Sequence, residues 1–352
     1  MSLTPPLSST AAFRQAFADG LHTILRRHDG LGVHILVLAN AANDPALWPQ
    51  LRDALTERHY HHAALISTAL RQGRTVSEPE DDLMVFLKLM AIGFENLNLA
   101  DARQAGPWEV QFNPLRALRP PRASGAKVEG LRQPFNPNGF HFDKPFLAKE
   151  IFWQGELLGE NVSLLYNKFP FIPLHGLVVP NKAAGLPQFL TPHWHGYAWD
   201  MTQTLGTRIA GFGLGYNSLG AYASVNHLHF QSFVREAPLP LLDPAWRHNG
   251  GDTDYPVACQ VFDDAIAAWQ CLDELHERGT AYNLVYLPGR LYVLPRRHQS
   301  QVSDAPANLQ TSLAVNPGWY ELAGGVTAYA RQDFARLEAQ GIAEELGRLA
   351  LS

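Results

Sequence analysis

Cysteine and long apolar runs are both scarce in this chain, and each scarcity excludes a class of protein. Cys259 and Cys271 are the only cysteines among the 352 residues. Their separation fits neither a zinc knuckle nor a redox pair, and a disulfide framework is excluded. The apolar run at 34–39 is much too short to span a bilayer. The first ten residues lack the basic start and apolar stretch of a signal peptide. We therefore expect a cytoplasmic protein with no membrane partner.

Charge is also sparse, at 17% of residues with a formal net charge of −5. Without a basic run, an extended nucleic-acid-binding face is excluded. The positive charge that exists is local, with Arg116, Arg119 and Arg122 in one segment and Arg296 and Arg297 in another. Such local clusters suit a small phosphorylated ligand. The apolar fraction of 46% is that of a globular protein, and the length allows two or three domains.

The first hundred residues predict an α/β extension over residues 1–105. Ser9 can cap a first helix, and the pattern at 44–58 indicates another. The apolar segment 33–39 and the segment 61–67 each predict a strand. No functional motif is recognisable in this extension.

The remaining sequence predicts strands, with one helix beginning near Thr191. A hairpin beginning with Tyr166-Asn167 and ending at Pro180 resembles a later one beginning with Tyr282-Asn283 and ending at Pro295. This similarity indicates an internal duplication. We expect one half over residues 106–240, which holds the functional motif, and a degenerate second half over 241–352.

The chemistry is concentrated in a short motif preceded by a polar turn. His227, His229 and Gln231 alternate with apolar residues, so a strand over 224–234 would place all three on one face. The upstream turn, 217–220, is rich in Asn, Ser and Gly, and such turns offer backbone N–H groups to anions. A nucleophile, an orienting partner and a phosphate cradle together indicate nucleotidyl transfer through a phospho-histidine.

Other interpretations of paired histidines stay open. His-x-His on a strand is also a metal-binding pattern, because alternate residues converge on one ion. The spacing can also be coincidental in a chain with 15 histidines. His193-Trp194-His195 repeats the spacing, but it follows a predicted helix start, where residues i and i+2 do not share a face. We expect that second pair to be structural.

The motif resembles the histidine-triad (HIT) superfamily, in the branch that carries glutamine after two histidines. This branch includes galactose-1-phosphate uridylyltransferases, diadenosine tetraphosphate phosphorylases and, with the strongest resemblance, GDP-hexose phosphorylases. The resemblance covers about residues 106–300, while the end of the second hairpin looks more like the diadenosine tetraphosphate phosphorylases. The segments that carry it are 113–120, 133–135, 166–170, 173–176, 178–180, 216–221 and 226–231.

The resemblance implies an α+β fold: a duplicated HIT-like antiparallel sheet with helices packed on it. It also implies that His229 is the nucleophile, that His227 helps set orientation and charge, and that Gln231 holds a phosphate oxygen. In hydrolytic relatives a third histidine stands in place of this glutamine. No cofactor and no metal are expected.

Further residues are candidates for binding nucleotide or phosphate. Arg116 and Arg119 can neutralise phosphate bidentately, whereas the alternative is a surface loop. For Asn167 and Lys168, ribose or phosphate contact is weighed against an ordinary solvated turn. The candidates in and after the polar turn are Asn217, Ser218, Gly220, Ser224 and Asn226.

The resulting hypothesis is phosphorolysis of a GDP-hexose by inorganic phosphate, giving GDP and hexose 1-phosphate through a nucleotidyl-histidine. The expected partners are a nucleoside diphosphate sugar or dinucleotide, and phosphate, with the protein a monomer or homodimer. The alternatives are a diadenosine tetraphosphate phosphorylase, a metal-dependent β-fold enzyme using His227 and His229, and a non-catalytic nucleotide-binding regulator.

Overall fold

The N-terminal segment is helical in the computed structural model, which describes residues 5–97, 99–119, 128–302 and 311–351; Arg122 lies outside them. The strands predicted at 33–39 and 61–67 were therefore wrong. Segment 33–39 lies in α2 and 61–67 lies in α3. Every residue of 33–42 is buried, and a continuously apolar run does not distinguish a buried helix from a buried strand. The four helices are α1 (Thr10–Arg27), α2 (Leu31–Ala42), α3 (Trp48–Arg71) and α4 (Glu80–Ile92).

An eight-stranded sheet, antiparallel at every pairing, forms the centre of the described structure. Its spatial order is β3-β4-β5-β7-β6-β9-β10-β8. Both predicted hairpins, β4–β5 and β9–β10, are present. Tyr166 ends β4 whereas Tyr282 is the second residue of β9, so the two Tyr-Asn pairs occupy different places in their hairpins. The strands are β3 (Ile151–Leu157), β4 (Glu160–Tyr166), β5 (Gly176–Pro180), β6 (Phe212–Asn217), β7 (Phe230–Val234), β8 (Gln260–Phe262), β9 (Ala281–Leu287) and β10 (Arg290–Arg296).

The central strands of this sheet are buried on both faces. In β9, Leu284 and Tyr286 pack into one apolar cluster and Val285 packs into another, as alternation along a strand requires. The first cluster contains the N-terminal helices together with α6 (Pro192–Gly206) and α7 (Ala265–Glu277). Thr191 caps α6 by accepting from the Trp194 amide. Helices therefore cover one face of the sheet, and this is the predicted α+β architecture.

The second cluster lies beneath a smaller, three-stranded sheet. Its strands are β1 (Asp101–Ala105), β2 (Trp108–Phe112) and β11 (Gly325–Ala328), with β11 parallel to β2. This pairing brings the C-terminal segment next to residues 108–113. The short helices here are α5 (Pro114–Ala117), α8 (Ser312–Val315), α9 (Trp319–Leu322), α10 (Arg331–Arg336) and α11 (Ala339–Gly347). Across the described ranges, no helix combines the length and apolar character needed to cross a bilayer.

Candidate active site

The two motif histidines precede strand β7 and do not lie within it. β7 begins only at Phe230, so the strand predicted over 224–234 was too long at its start. The preceding residues pair instead with the loop before α6: the Leu228 amide donates to the Leu186 carbonyl at 2.8 Å. Gln188 holds the same segment, since its Oε1 accepts from the His229 amide at 2.9 Å and its Nε2 donates to the Asn217 carbonyl at 2.9 Å. This buried glutamine has no local sequence signal, because its partners are about 30 to 40 residues away.

The His229 ring has a defined tautomer. Its Nδ1 lies 2.8 Å from the backbone carbonyl of His227, and a carbonyl oxygen can only accept, so Nδ1 carries the proton. In the neutral ring Nε2 therefore keeps the lone pair that a nucleophile needs. The ring packs on Phe142, with centroids 4.9 Å apart, and only 5% of the residue is exposed.

The His227 ring is hydrogen-bonded to the backbone and is neutral at neutral pH. Its Nδ1 accepts a hydrogen bond of 3.0 Å from the Phe142 amide. Burial, aided by the nearby His141, lowers the pKa of His227 to about 4. His227 thus contributes orientation through its carbonyl, and its ring adds no positive charge at neutral pH.

Gln231 is held by two side chains from distant parts of the sequence. Trp319 Nε1 lies 2.9 Å from Gln231 Oε1, and His175 Nε2 lies 3.2 Å from the same oxygen. Burial and the Arg116 guanidinium lower the pKa of His175 to about 3, so it is neutral. Neither Trp319 nor His175 was among the predicted site residues. Gly215 pairs with Gln231 across β6 and β7 and makes room for the Trp319 ring, since a Cβ there would lie 2.2 Å from it.

The turn that was predicted to cradle phosphate is tied into the fold by its side chains. Asn217 Oδ1 accepts from Asn283 Nδ2 at 2.7 Å and from the Trp319 amide at 2.8 Å. Ser218 Oγ accepts from the Tyr282 amide at 3.0 Å. Gly220 has a φ of +82°, and a Cβ there would lie 2.3 Å from the His298 ring. Asn217 and Ser218 therefore fix the turn's shape, and a role for the turn in binding phosphate stays a prediction.

Asn226 and Ser224 follow in the same loop with different surroundings. Asn226 Nδ2 donates to the carbonyls of Gln133 and Pro134 at 3.2 and 2.9 Å, and its Oδ1 accepts from the Gln188 amide at 2.9 Å. Asn226 thus bridges two loops. Ser224 is exposed on the loop surface.

Arg116 lies near His175, which in turn contacts Gln231. Asn113 caps the short helix α5 by accepting from the Arg116 amide at 3.2 Å. The Arg116 guanidinium donates to the Phe169 carbonyl at 2.8 Å and lies 4.4 Å from the centre of the Phe171 ring. It is close enough to His175 to lower the pKa of that imidazole.

Of the other predicted polar residues, Asn167 lies in the site and Lys168 contacts the N-terminal helices. Asn167 Nδ2 lies 3.3 Å from His175 Nε2, which places Asn167 beside the Gln231 pair. Lys168 points elsewhere, since its Nζ lies 2.5 Å from Asp82 Oδ1 in α4. Arg119 is half-buried at the end of the α5 segment, where its amide donates to the Arg116 carbonyl at 3.2 Å.

The second His-x-His pair is structural, as its position in α6 predicted. His195 is buried, with Nδ1 2.8 Å from the Tyr286 hydroxyl and Nε2 2.9 Å from the Ala265 carbonyl. His193 lies outside the core and pairs with Glu160 at 2.8 Å. Among the described residues, no group of three or more His, Cys, Asp or Glu side chains is arranged to hold a metal ion.

Arg296, from the second basic cluster, serves the fold around Trp319. Its side chain is fully buried, and Nη1 donates to the Pro317 carbonyl at 2.5 Å, two residues before Trp319. Burial lowers the pKa of Arg296 to about 10, so it is still charged at neutral pH. Arg297 is half-exposed.

The described structure is an α+β fold in which helices pack on a largely antiparallel sheet. The described structure aligns with yeast Ap4A phosphorylase Apa2 in complex with Ap4A at a TM-score of 0.50 and 18% identity, covering 78% of this chain and 99% of the yeast chain. At this identity the likeness concerns the fold.

Residues 108–233 match the model of the family described as "GDPGP1-like, N-terminal domain". The chain is 36% identical over 149 residues to "GDP-D-glucose phosphorylase 1" of Macaca fascicularis, covering 38% of each chain. It is 25% identical over 265 residues to "GDP-L-galactose phosphorylase 1" of Arabidopsis thaliana, covering 64% of this chain and 58% of the relative. The matches thus span less than two thirds of these relatives' lengths. The resemblance deduced from the motif is confirmed.

Proposed function

We propose that this protein is a phosphorylase of nucleoside diphosphate sugars, acting on a GDP-hexose through a covalent nucleotidyl-His229 intermediate. The observation that carries the proposal is the Nδ1–carbonyl hydrogen bond of 2.8 Å between His229 and His227. It leaves Nε2 as the nucleophilic nitrogen of the neutral ring. The names of the matching relatives support GDP-hexose as the substrate class.

The first half-reaction forms a phosphorus–nitrogen bond. His229 Nε2 attacks the α-phosphorus of the nucleotide sugar, the bond from that phosphorus to the bridging oxygen breaks, and the hexose leaves as hexose 1-phosphate. The Gln231 amide donates to a non-bridging oxygen of the transferred group, where negative charge must be stabilised in the transition state. Arg116 is the cation proposed to offset the charge of the departing or entering phosphate.

The second half-reaction reverses the bonding. An oxygen of inorganic phosphate attacks the same phosphorus, the phosphorus–nitrogen bond breaks, and GDP leaves with His229 restored. Two sequential displacements at one phosphorus give ping-pong kinetics. Cys259 and Cys271 are both unpaired thiols, which fits the cytosolic location proposed for this reaction.

A substrate panel tests the proposal. GDP-glucose, GDP-galactose, UDP-glucose, ADP-glucose and diadenosine tetraphosphate are each incubated with phosphate and enzyme, and nucleoside diphosphate and sugar phosphate are quantified. We expect GDP and hexose 1-phosphate in equal amounts, with no turnover by His229→Ala. Preference for diadenosine tetraphosphate would instead assign a dinucleotide phosphorylase, and tight nucleotide binding without turnover would indicate a regulator.

The same assay after exhaustive chelation addresses the metal-dependent alternative. We expect unchanged turnover, because preorganised donors and cations offset the transferred charge. Loss of activity that zinc or iron restores would favour a metal-dependent reaction at His227 and His229.

A further inference from the structure

We infer that Trp319 is a positioning residue that locks the Gln231 amide in the orientation needed for transfer to phosphate. The inference rests on the proposed function. Trp319 lies beyond residues 108–233, which match the family domain, and its indole reaches the motif through space.

The indole identifies which atom of the Gln231 amide it contacts. An indole N–H is only a donor, so the atom 2.9 Å from Trp319 Nε1 must be the amide oxygen. His175 Nε2 lies 3.2 Å from the same oxygen and 3.3 Å from Asn167 Nδ2, so it donates to Gln231 only in the Nε2–H tautomer, in which it does not accept from Asn167. With its oxygen facing the indole N–H, the Gln231 amide presents its NH2 group as a donor for a phosphate oxygen.

Reversal of this amide is strongly disfavoured by the same contacts. A flipped Gln231 would lose the Trp319 hydrogen bond and would turn its own NH2 group toward the indole N–H. A carbonyl oxygen would then point at the transferred phosphoryl group and repel its non-bridging oxygens. The orientation of one amide therefore decides whether Gln231 attracts or repels the group being transferred.

Trp319 is itself held rigidly for this task. It is fully buried and stacks on Phe233, with centroids 5.1 Å apart and planes at 16°. Its backbone amide donates to Asn217 Oδ1 at 2.8 Å. Gly215 provides the space for the ring, because a Cβ there would lie 2.2 Å from it. The polar turn and the motif glutamine are thus both tied to one tryptophan.

The test compares Trp319→Phe with Trp246→Phe. Trp246 is a matched control, because it is also buried and its indole donates a similar bond, to the Pro240 carbonyl at 2.8 Å, away from the motif. A merely structural role predicts similar losses in both variants. We expect Trp319→Phe alone to lower kcat for phosphorolysis about 3- to 10-fold, the range for one lost hydrogen bond, with little change in KM for the nucleotide sugar.

Product partition and non-additivity show whether the effect passes through Gln231. With phosphate saturating, Trp319→Phe should raise the share of nucleoside monophosphate over nucleoside diphosphate. In a Gln231→Leu background, Trp319→Phe should have no further effect on kcat, because the amide it orients is gone. Should Trp319→Phe fail to fold, His175→Leu removes the other side chain within hydrogen-bonding distance of the Gln231 oxygen and is expected to shift the partition in the same direction.

Equal kcat in the two tryptophan variants, or additive effects with Gln231→Leu, would overturn the inference. Failure of the proposed function is distinguishable, because the wild-type protein would then form no nucleoside diphosphate from any nucleotide sugar.

Discussion

Lys168, at the end of the first hairpin strand, forms an ion pair with Asp82 of helix α4, with Nζ and Oδ1 2.5 Å apart. The pair ties the N-terminal helices to the segment that contains Asn167. Asn40 of α2 adds a second tie by donating to the Asn167 carbonyl at 2.9 Å. The ammonium is thus used in the fold, and the site proposed here does not include Lys168 among the phosphate ligands.

A double-mutant cycle on this pair gives the first prediction. We expect Asp82→Asn and Lys168→Met each to lower the free energy of unfolding, with a coupling of about 0.5–1 kcal/mol that high salt reduces. Neither variant should change KM for the nucleotide sugar appreciably. A raised KM in Lys168→Met alone, with no coupling to Asp82, would restore Lys168 as a substrate contact.

Gly215→Ala should disturb the site from the strand opposite Gln231. A methyl group there would overlap the Trp319 ring, and overpacking of this kind costs about 1–3 kcal/mol. Gly196→Ala in α6 is the control, because a Cβ at that position meets no atom within 4 Å; alanine in a helix is about 0.5–1 kcal/mol more favourable than glycine. Urea unfolding and phosphorolysis rates of both variants measure the difference. Equal stability of the two variants would mean that the Trp319 ring can move aside.

Burial of neutral histidines makes the folded protein sensitive to acid. The pKa of His227 falls from 6.5 to about 4, so between those values the unfolded chain binds a proton that the folded chain does not. His227 therefore stabilises the fold fully above about pH 6.5, and this contribution is lost as the pH falls toward 4. One such group contributes up to about 1.4 kcal/mol per pH unit.

Urea unfolding at pH 6 and pH 5 checks this contribution. We expect His227→Asn to reduce the loss of stability between the two values, whereas replacement of the exposed His61 by Asn should leave it nearly unchanged. An identical loss in wild type and His227→Asn would contradict the assignment of a neutral, buried His227.

The sequence predicted both hairpins and the helices that begin near Ser9 and Thr191, but it misassigned two helical segments of the N-terminal region as strands. The first hairpin was recognisable because short apolar strands and the turn residues between them are local signals. Residues 33–39 were misassigned because a run buried on all sides has no periodicity to distinguish helix from strand. Trp319 and Gln188 could not be found from local pattern, since each acts through contacts that only the folded chain creates. The length of β7 was overestimated because the pairing of Leu228 with Leu186 is likewise long-range.

The Gln231→His variant tests what determines whether the nucleotidyl enzyme reacts with phosphate or with water. A glutamine amide neither titrates nor activates water, whereas an imidazole can do both. We expect the variant to hydrolyse the nucleotidyl enzyme faster relative to phosphorolysis, which raises nucleoside monophosphate over nucleoside diphosphate at saturating phosphate. An unchanged ratio would place acceptor choice elsewhere, with Arg116 and Arg119 the next residues to test.

Intact-mass analysis shows directly whether His229 carries the nucleotidyl group during turnover. The enzyme is mixed with GDP-hexose in the absence of phosphate, quenched without acid because phosphoramidates are acid-labile, and weighed beside His229→Ala. We expect an added guanylyl group on the wild-type protein, located at residue 229 by peptide mapping, removed on addition of phosphate with release of GDP, and absent from the variant. Full turnover with no adduct at any time, or an equal adduct on His229→Ala, would contradict this role of His229.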